Sequence, residues 1–119
     1  MTTLAPDRLA QLIAGYAADV KAIDLVELDL RDVLAYTDYF VICTGQNPRQ
    51  TRAIYDEVHR ALKAESRTLP ATTDVGEAKW IVADYLDVVL HVFTPETRGY
   101  YRLEELWDDV PSVEHATAS

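Results

Sequence analysis

The sequence contains few of the residues that mark several protein classes. Its 119 residues include one cysteine, four glycines and three histidines. The single cysteine, Cys43, excludes an internal disulfide, and its apolar neighbours favour a small buried side chain. The histidines are scattered, so the sequence brings none of them to Cys43, where one would be needed to activate the thiol. No catalytic residue is therefore predicted.

Cations are also scarce. Lys and Arg total 11 against 20 Asp and Glu, which gives a net charge of −9. Nucleic-acid binders gain affinity from clustered cations, so we expect no direct nucleic-acid binding. No apolar run approaches the roughly 20 residues that cross a bilayer, and the N-terminus lacks a basic or apolar targeting region. We expect a cytoplasmic protein without membrane contact, whose acidity suits either solubility or docking on a basic protein.

The periodicity of the apolar residues predicts one domain, 1–110, followed by a disordered tail, 111–119. The predicted order is helix, strand, strand, helix, short strand, strand, strand, helix. The corresponding ranges are about 7–20, 24–30, 39–44, 47–65, 68–69, 80–84, 87–93 and 94–107. This order predicts the α/β (α+β) class, with helices packed on a single mixed sheet of four or five strands.

The two strands within 80–93 are predicted to form a hairpin with distinct faces. If Tyr85 and Leu86 form a two-residue turn, Asp84 faces Asp87 and Trp80 faces His91. Alternation then gives one purely aliphatic face, the predicted core, with Ile81, Ala83, Val88, Leu90 and Val92. The other face carries Trp80, Val82, Asp84, Asp87, Val89, His91 and Phe93. Apolar anchors with a charged rim are typical of an interface, whereas the alternative is that a helix of the same chain covers this face.

Two pairs of carboxylates could in principle hold magnesium: Asp29 with Asp32, and Asp84 with Asp87. No glycine-rich phosphate loop accompanies them, since 44–47 has one glycine and no lysine. We therefore predict no metal and no cofactor. The alternative function is a nucleotidyltransferase-like enzyme or nucleotide-binding domain that uses these Asp pairs with magnesium. A third hypothesis is a dimeric scaffold.

A series of ordered motifs resembles the Iojap family, the ribosomal silencing factors, over about 7–108. The motifs are Thr37–Gly45, Arg49-Gln50, Leu69-Pro70, Trp80–Val82, Asp84, Asp87–Val89, His91–Phe93, Arg98, Tyr101, Leu103-Glu104 and Leu106-Trp107. The family usually has glycine where Leu86 stands. Because leucine resists positive φ, the type of this turn and the register of the hairpin stay open.

The resemblance implies a nucleotidyltransferase-like fold without the catalytic carboxylates, and hence no enzyme. It also implies that the chain binds the large ribosomal subunit through its basic protein L-fourteen. Bound there, it would sterically block joining of the small subunit and reduce translation when nutrients are scarce. On this interpretation Trp80 and Val82 are apolar anchors and Asp84 and Asp87 meet Lys or Arg, while the neighbouring Tyr85 and His91 complete the predicted partner-binding set. A homodimer of the free protein is also considered.

Overall fold

Three α-helices, one 3-10 helix and six strands make up the part of the chain that this computed structural model describes, residues 5–66, 71–73, 77–107 and 110–114. In chain order they are α1 (Pro6–Asp19), β1 (Ile23–Asp29), β2 (Tyr39–Thr44), α2 (Pro48–Ser66), β3 (Ala71–Thr73), β4 (Trp80–Asp84), β5 (Val88–Phe93), α3 (Pro95–Tyr101), the 3-10 helix (Leu103–Trp107) and β6 (Ser112–Glu114). None of these helices has the length and apolarity that a membrane span requires.

The strands form one mixed sheet in the order β3-β4-β5-β2-β1-β6. The central pair, β2 and β5, is parallel, and each of the other neighbouring pairs is antiparallel. All six residues of β2 are buried, as its apolar character on both faces predicts. The predicted fold class, helices on a single mixed sheet, is confirmed.

The two long helices cover one face of the sheet. Pro6 at the first position and Asp7 in the first turn suit the start of α1. The side chain of Asn47 caps α2, since its Oδ1 accepts the Gln50 N–H at 2.9 Å. Their apolar stripes pack with the predicted aliphatic face of the hairpin, all of which is buried. Burial of each such aliphatic side chain contributes about 1.5–3 kcal/mol.

A close approach of backbone ties β2 to α2. A Cβ atom at Gly45 would lie only 2.8 Å from the backbone nitrogen of Thr51, so this position requires glycine. The Gly45 N–H donates to the Phe93 carbonyl at 2.8 Å, while the Thr51 hydroxyl donates to the Ala78 carbonyl. The end of β2, the start of α2 and the approach to β4 are thereby held together.

The opposite face of the sheet carries a second apolar cluster. Its buried members are Leu28, Leu30, Phe40, Ile42, Val89 and Phe93. Half-buried residues of β1, β4, the 31–37 loop and the C-terminal segment pack against it: Val26, Leu34, Trp80, Val82, Leu103 and Val110. This face is therefore partly covered by short elements, whereas the other is sealed by α1 and α2.

The predicted ends and edges of the fold need three corrections. The last helix stops at Tyr101 because Arg102 takes a left-handed conformation (φ 47°, ψ 49°), and a 3-10 helix follows. Residues 112–114, predicted to lie in a disordered tail, form β6 and pair with β1. The strand predicted at 68–69 lies outside the described residues, while β3 lies at 71–73, in the segment between the strands predicted at 68–69 and 80–84.

Candidate partner-binding surface

The turn of the β4–β5 hairpin lies one residue later than predicted. The Tyr85 N–H donates to the Val88 carbonyl at 2.9 Å, so Leu86 and Asp87 form the turn. Consequently Trp80 pairs with Phe93, Val82 with His91 and Asp84 with Val89. The predicted pairing of Asp84 with Asp87 and of Trp80 with His91 is wrong by two residues. Because the shift is even, each strand residue keeps its predicted face.

Leu86 adopts a positive φ of 75° in this turn, a conformation that leucine rarely takes. The Asp84 Oδ1 accepts the Leu86 N–H at 2.8 Å, an Asx-type contact that stabilises the turn. The Asp87 carbonyl accepts the N–H groups of Asp38 (2.9 Å) and Tyr39 (3.1 Å). The turn is thus fastened to the start of β2, and the side chain of Leu86 projects into solvent, 77% exposed.

Trp80 is half-buried, and its ring contacts those of His91, Phe93 and Tyr101. Its indole stacks on Phe93 with centroids 5.0 Å apart, and Tyr101 of α3 lies against it at 4.6 Å. Its Nε1–H donates to Nδ1 of His91 at 3.1 Å. Trp80 is therefore held firmly by its own chain without being sealed from solvent.

His91 lies beneath this aromatic layer and is only 6% exposed. The rings of Phe40 and Phe93 lie 4.5 Å and 6.2 Å from its own. Burial lowers the pKa of His91 to about 4, because the protonated ring would lose its hydration. His91 is therefore neutral at neutral pH.

The structure separates the six residues predicted to bind a partner into four that reach the surface and two that are buried. Trp80, Val82 and Asp84 are half-buried along β4, and Asp87 is exposed in the turn. Tyr85 is 4% exposed and belongs to the helix-side core, where burial raises its pKa. The prediction is corrected for Tyr85 and His91, since neither presents its side chain at the surface. We call Trp80, Val82, Asp84, Leu86 and Asp87 the hairpin surface.

Two further large side chains are exposed in the loop that precedes β2, and neither was predicted as a site residue. Val33 and Tyr36, the latter 66% exposed, belong to the loop that precedes β2. The Asp38–Asp87 hydrogen bond brings the end of this loop to the turn that carries Leu86. The signal in the sequence was present but weak: two large apolar residues in a segment without strand or helix periodicity. Val33 and Tyr36 therefore add exposed apolar surface to a loop whose end is bonded to the hairpin turn.

One carboxylate of each pair considered for magnesium is engaged elsewhere, Asp29 by Arg31 and Asp84 by the hairpin turn. Arg31 makes a bidentate pair with Asp29, with N–O distances of 2.9 and 2.6 Å. This guanidinium lowers the pKa of Asp29. Asp84 holds the turn, as described above. Among the described residues no three His, Cys, Asp or Glu side chains gather in a way that could hold a metal.

Two other features bear on catalysis. Cys43 is fully buried, and burial raises the pKa of its thiol to about 12, so it is not a thiolate nucleophile. An open cleft of about 390 Å³ lies beyond the carboxyl ends of β2 and β5, where ligands of open α/β sheets often bind. Among the described residues its charged lining consists of Lys79 and Glu96, which provides no pair of acids for a metal.

Arg98 anchors α3 at this end of the sheet. Its guanidinium donates to the Asp24 carbonyl at 2.6 Å and to the Thr44 hydroxyl at 2.9 Å. Asp24 lies in an irregularity of β1, with φ 50°, between the paired residues Ile23 and Val26. This contact fixes α3, and with it Tyr101, against Trp80.

The comparisons with known proteins cover almost the whole chain. The family model described as "Ribosomal silencing factor during starvation" matches residues 3–119. The ribosomal silencing factor RsfS of Halalkalibacterium halodurans is 35% identical over 106 residues, which are 89% of this chain and 91% of that protein. RsfS of Bacillus subtilis is 34% identical over 103 residues, 87% of each chain.

Solved structures agree with these matches. A crystal structure of a Chromobacterium violaceum protein superposes with a TM-score of 0.85 at 26% identity, covering 98% of this chain and 94% of that one. A second crystal structure, from Bacillus halodurans, gives a TM-score of 0.78 at 34% identity, covering 92% and 99%. The fold, the hairpin and the extent of these matches lead to one conclusion: the chain belongs to the ribosomal silencing factor family.

Proposed function

We propose that this protein silences translation by binding the large ribosomal subunit and blocking the small subunit from joining it. The family match over residues 3–119 is the observation that carries the proposal. We further propose that the docking partner is the basic ribosomal protein L-fourteen. The family description names starvation, which is the condition in which we expect the activity to matter.

The hairpin surface is the proposed contact. Trp80 combines a large apolar ring with partial exposure, which is typical of residues that dominate binding energy. Val82 lies beside it on β4, and Leu86 extends the apolar strip to the turn. The exposed carboxylate of Asp87 stands at the rim, where Lys or Arg of a partner can meet it.

The overall charge supports a basic partner. A net charge of −9 attracts a cationic protein over several ångströms and repels bare phosphate backbone. Docking on a basic ribosomal protein would use this attraction, since complementary charge speeds encounter and limits wrong partners. Contact through protein rather than RNA is therefore the proposed mode of binding.

The proposed mechanism is steric and needs no catalysis. Asp29 and Asp84, two of the acids considered for a magnesium site, are engaged by Arg31 and by the hairpin turn. A bound protein of this size, with principal extents of 38 × 34 × 26 Å, would hold a joining subunit away from the surface that it covers. Obstruction alone accounts for silencing.

Self-association of the free protein is a further proposal. The exposed apolar area of Leu86, Val33 and Tyr36 would favour a second copy when no ribosome is bound. Sedimentation velocity over a range of concentrations tests it. A monomer at every concentration would remove it without affecting ribosome binding.

Gradient sedimentation with separated subunits tests the proposed function. We expect the protein to migrate with purified large subunits, to be absent from small subunits, and to be excluded from preformed joined ribosomes. Adding it to large subunits before small subunits should lower the joined fraction. The proposal fails if the protein stays at the top of a gradient that contains excess large subunits.

A further inference from the structure

His91 keeps a hydrogen-bonding arrangement that stability alone does not explain. Its Nδ1 accepts the indole N–H of Trp80 at 3.1 Å, so Nδ1 carries no proton. A neutral imidazole then has its proton on Nε2. This Nε2 is buried and has no hydrogen-bond partner among the described residues.

A buried donor without a partner is unfavourable by about 1–3 kcal/mol. A leucine or phenylalanine at this position would avoid that penalty, because the surrounding rings of Phe40, Phe93 and Trp80 are apolar. The benefit of histidine must therefore lie in its other nitrogen, the acceptor for Trp80. This acceptor is the one polar feature that an apolar side chain could not supply.

The acceptor has two effects on Trp80. Indole has one hydrogen-bond donor and no acceptor, so the contact with His91 uses the whole polar capacity of the ring. The contact is also directional, whereas the stacking on Phe93 and the tilted contact with Tyr101 leave the ring free to slide in its plane. The direction of the hydrogen bond to His91 therefore fixes which edge of the indole reaches solvent. Because this bond uses the only donor of the ring, the solvent-facing edge is apolar.

We propose that His91 is a positioning residue for Trp80, which sets the indole as a purely apolar anchor on the hairpin surface. The partner's matching patch is then apolar, built from aliphatic side chains or the methylene stems of Lys and Arg. This inference rests on the proposed function, since it requires Trp80 to meet the partner. On this inference His91 does not contact the partner but lies in the layer of side chains beneath the residues that do.

Two substitutions at one position separate positioning from packing. In His91→Asn the amide oxygen can take the place of Nδ1 and accept the indole N–H, whereas His91→Leu fills the space without an acceptor. Proton–nitrogen NMR reports on the indole directly, and the signal lost in Trp80→Phe identifies Trp80 against Trp107. We expect the Trp80 indole signal to keep its shift and slow exchange in His91→Asn and to lose both in His91→Leu.

Binding to purified large subunits gives the functional result. We expect His91→Leu to weaken binding at least fivefold and His91→Asn to stay within about twofold of the unsubstituted protein. In a Trp80→Phe background, which has no indole N–H next to position 91, the two substitutions should become equal. Equal binding of the two variants in the original background, or a difference that persists without the indole, overturns the inference.

The outcomes keep this inference apart from the function on which it rests. If the unsubstituted protein fails to bind large subunits, both fall together. If it binds and the two variants do not differ, the positioning role alone is lost. Should His91→Leu not fold, hydrogen exchange of the Trp80 indole in the unsubstituted protein decides: slow exchange supports the contact with His91, and exchange as fast as in an unfolded chain overturns it.

Discussion

Leu86 holds a backbone conformation that its side chain disfavours. A left-handed conformation is unfavourable by about 1–2 kcal/mol for a residue with a Cβ atom, and Leu86 has a φ of 75°. The hydrogen bond from its N–H to Asp84, together with the fastening of Asp87 to β2, maintains the turn. The turn is therefore determined by its neighbours rather than by the residue at its centre.

Replacing this leucine should stabilise the fold. We expect Leu86→Gly to raise the free energy of unfolding by about 0.5 kcal/mol, because relief of strain exceeds the added chain entropy. Leu86→Ala removes nearly the same exposed side chain but keeps the strain, so it should be less stable than Leu86→Gly by about 1 kcal/mol. Urea unfolding measures both, and an alanine variant as stable as the glycine variant would contradict the strain.

His91 should make stability depend on pH. Its pKa is about 4 in the folded protein, below the roughly 6.5 of an unfolded chain. The unfolded state therefore binds the proton more readily as pH falls through this window. The stability that neutral His91 provides is present above about pH 6.5 and is lost progressively toward pH 4.

The matched comparison is with His91→Asn, which does not titrate. Between pH 7 and pH 5 we expect the unsubstituted protein to lose about 2 kcal/mol more of its unfolding free energy than this variant. Urea unfolding at both pH values gives the difference. Parallel losses in the two proteins would show that His91 is not protonated more easily on unfolding.

At the scale of elements, the faces of the hairpin were predictable and its register was not. Alternation assigned Ile81, Ala83 and Leu90 to the core, and all three are buried. The register depended on which two residues form the turn, and the sequence offered no glycine to mark them. The same limit applies to the site: alternation gave its face, while the place of Tyr85 depends on the register of the hairpin and the burial of His91 depends on packing that no local pattern encodes.

The C-terminal segment was harder to predict for a different reason. Its residues 112–114 become a strand only by pairing with β1, a contact between distant parts of the chain. Likewise, α3 ends because Arg102 adopts a left-handed conformation. The spacing of the apolar residues had predicted that the helix continues to residue 107. Short elements have little intrinsic stability, so their boundaries follow from tertiary contacts.

Because α3 has only seven residues, it should depend on Arg98. We expect Arg98→Met to lower the free energy of unfolding by about 1.5–3 kcal/mol, through loss of its charge-assisted hydrogen bonds. The exposed Arg102, replaced in the same way, should change it by no more than about 0.5 kcal/mol. Urea unfolding and hydrogen exchange of the α3 amides measure the effect. Equal losses in the two variants would contradict the anchoring role.

At the scale of the whole molecule, charge can contribute to partner binding in two ways, by long-range attraction and by direct contact, and the two can be separated. Asp87→Lys and Asp56→Lys each replace one negative charge with a positive one, so both change the net charge from −9 to −7. Both aspartates are exposed, but Asp56 lies on α2, on the helix-covered side of the sheet. The long-range attraction to a basic partner is thus reduced similarly, while only one variant alters the proposed contact.

Kinetic binding to large subunits at low and moderate salt distinguishes these contributions. We expect Asp56→Lys to slow association by less than about twofold, an effect that salt removes. Asp87→Lys should weaken affinity about fivefold or more and retain part of that loss at moderate salt, because a like charge then faces Lys or Arg. Equal effects of the two variants would place Asp87 outside the contact.

The parallel pairing of β2 with β5 also has a consequence for biosynthesis. Residue 39 pairs with residue 88, so the fully buried β2 acquires this central neighbour only after the chain has been made as far as β5. Synthesis proceeds from the N-terminus at about 5–20 residues per second. A nascent chain that ends before β5 therefore exposes the apolar faces of β2 for seconds, and the centre of the sheet closes only when residues 88–93 have been made.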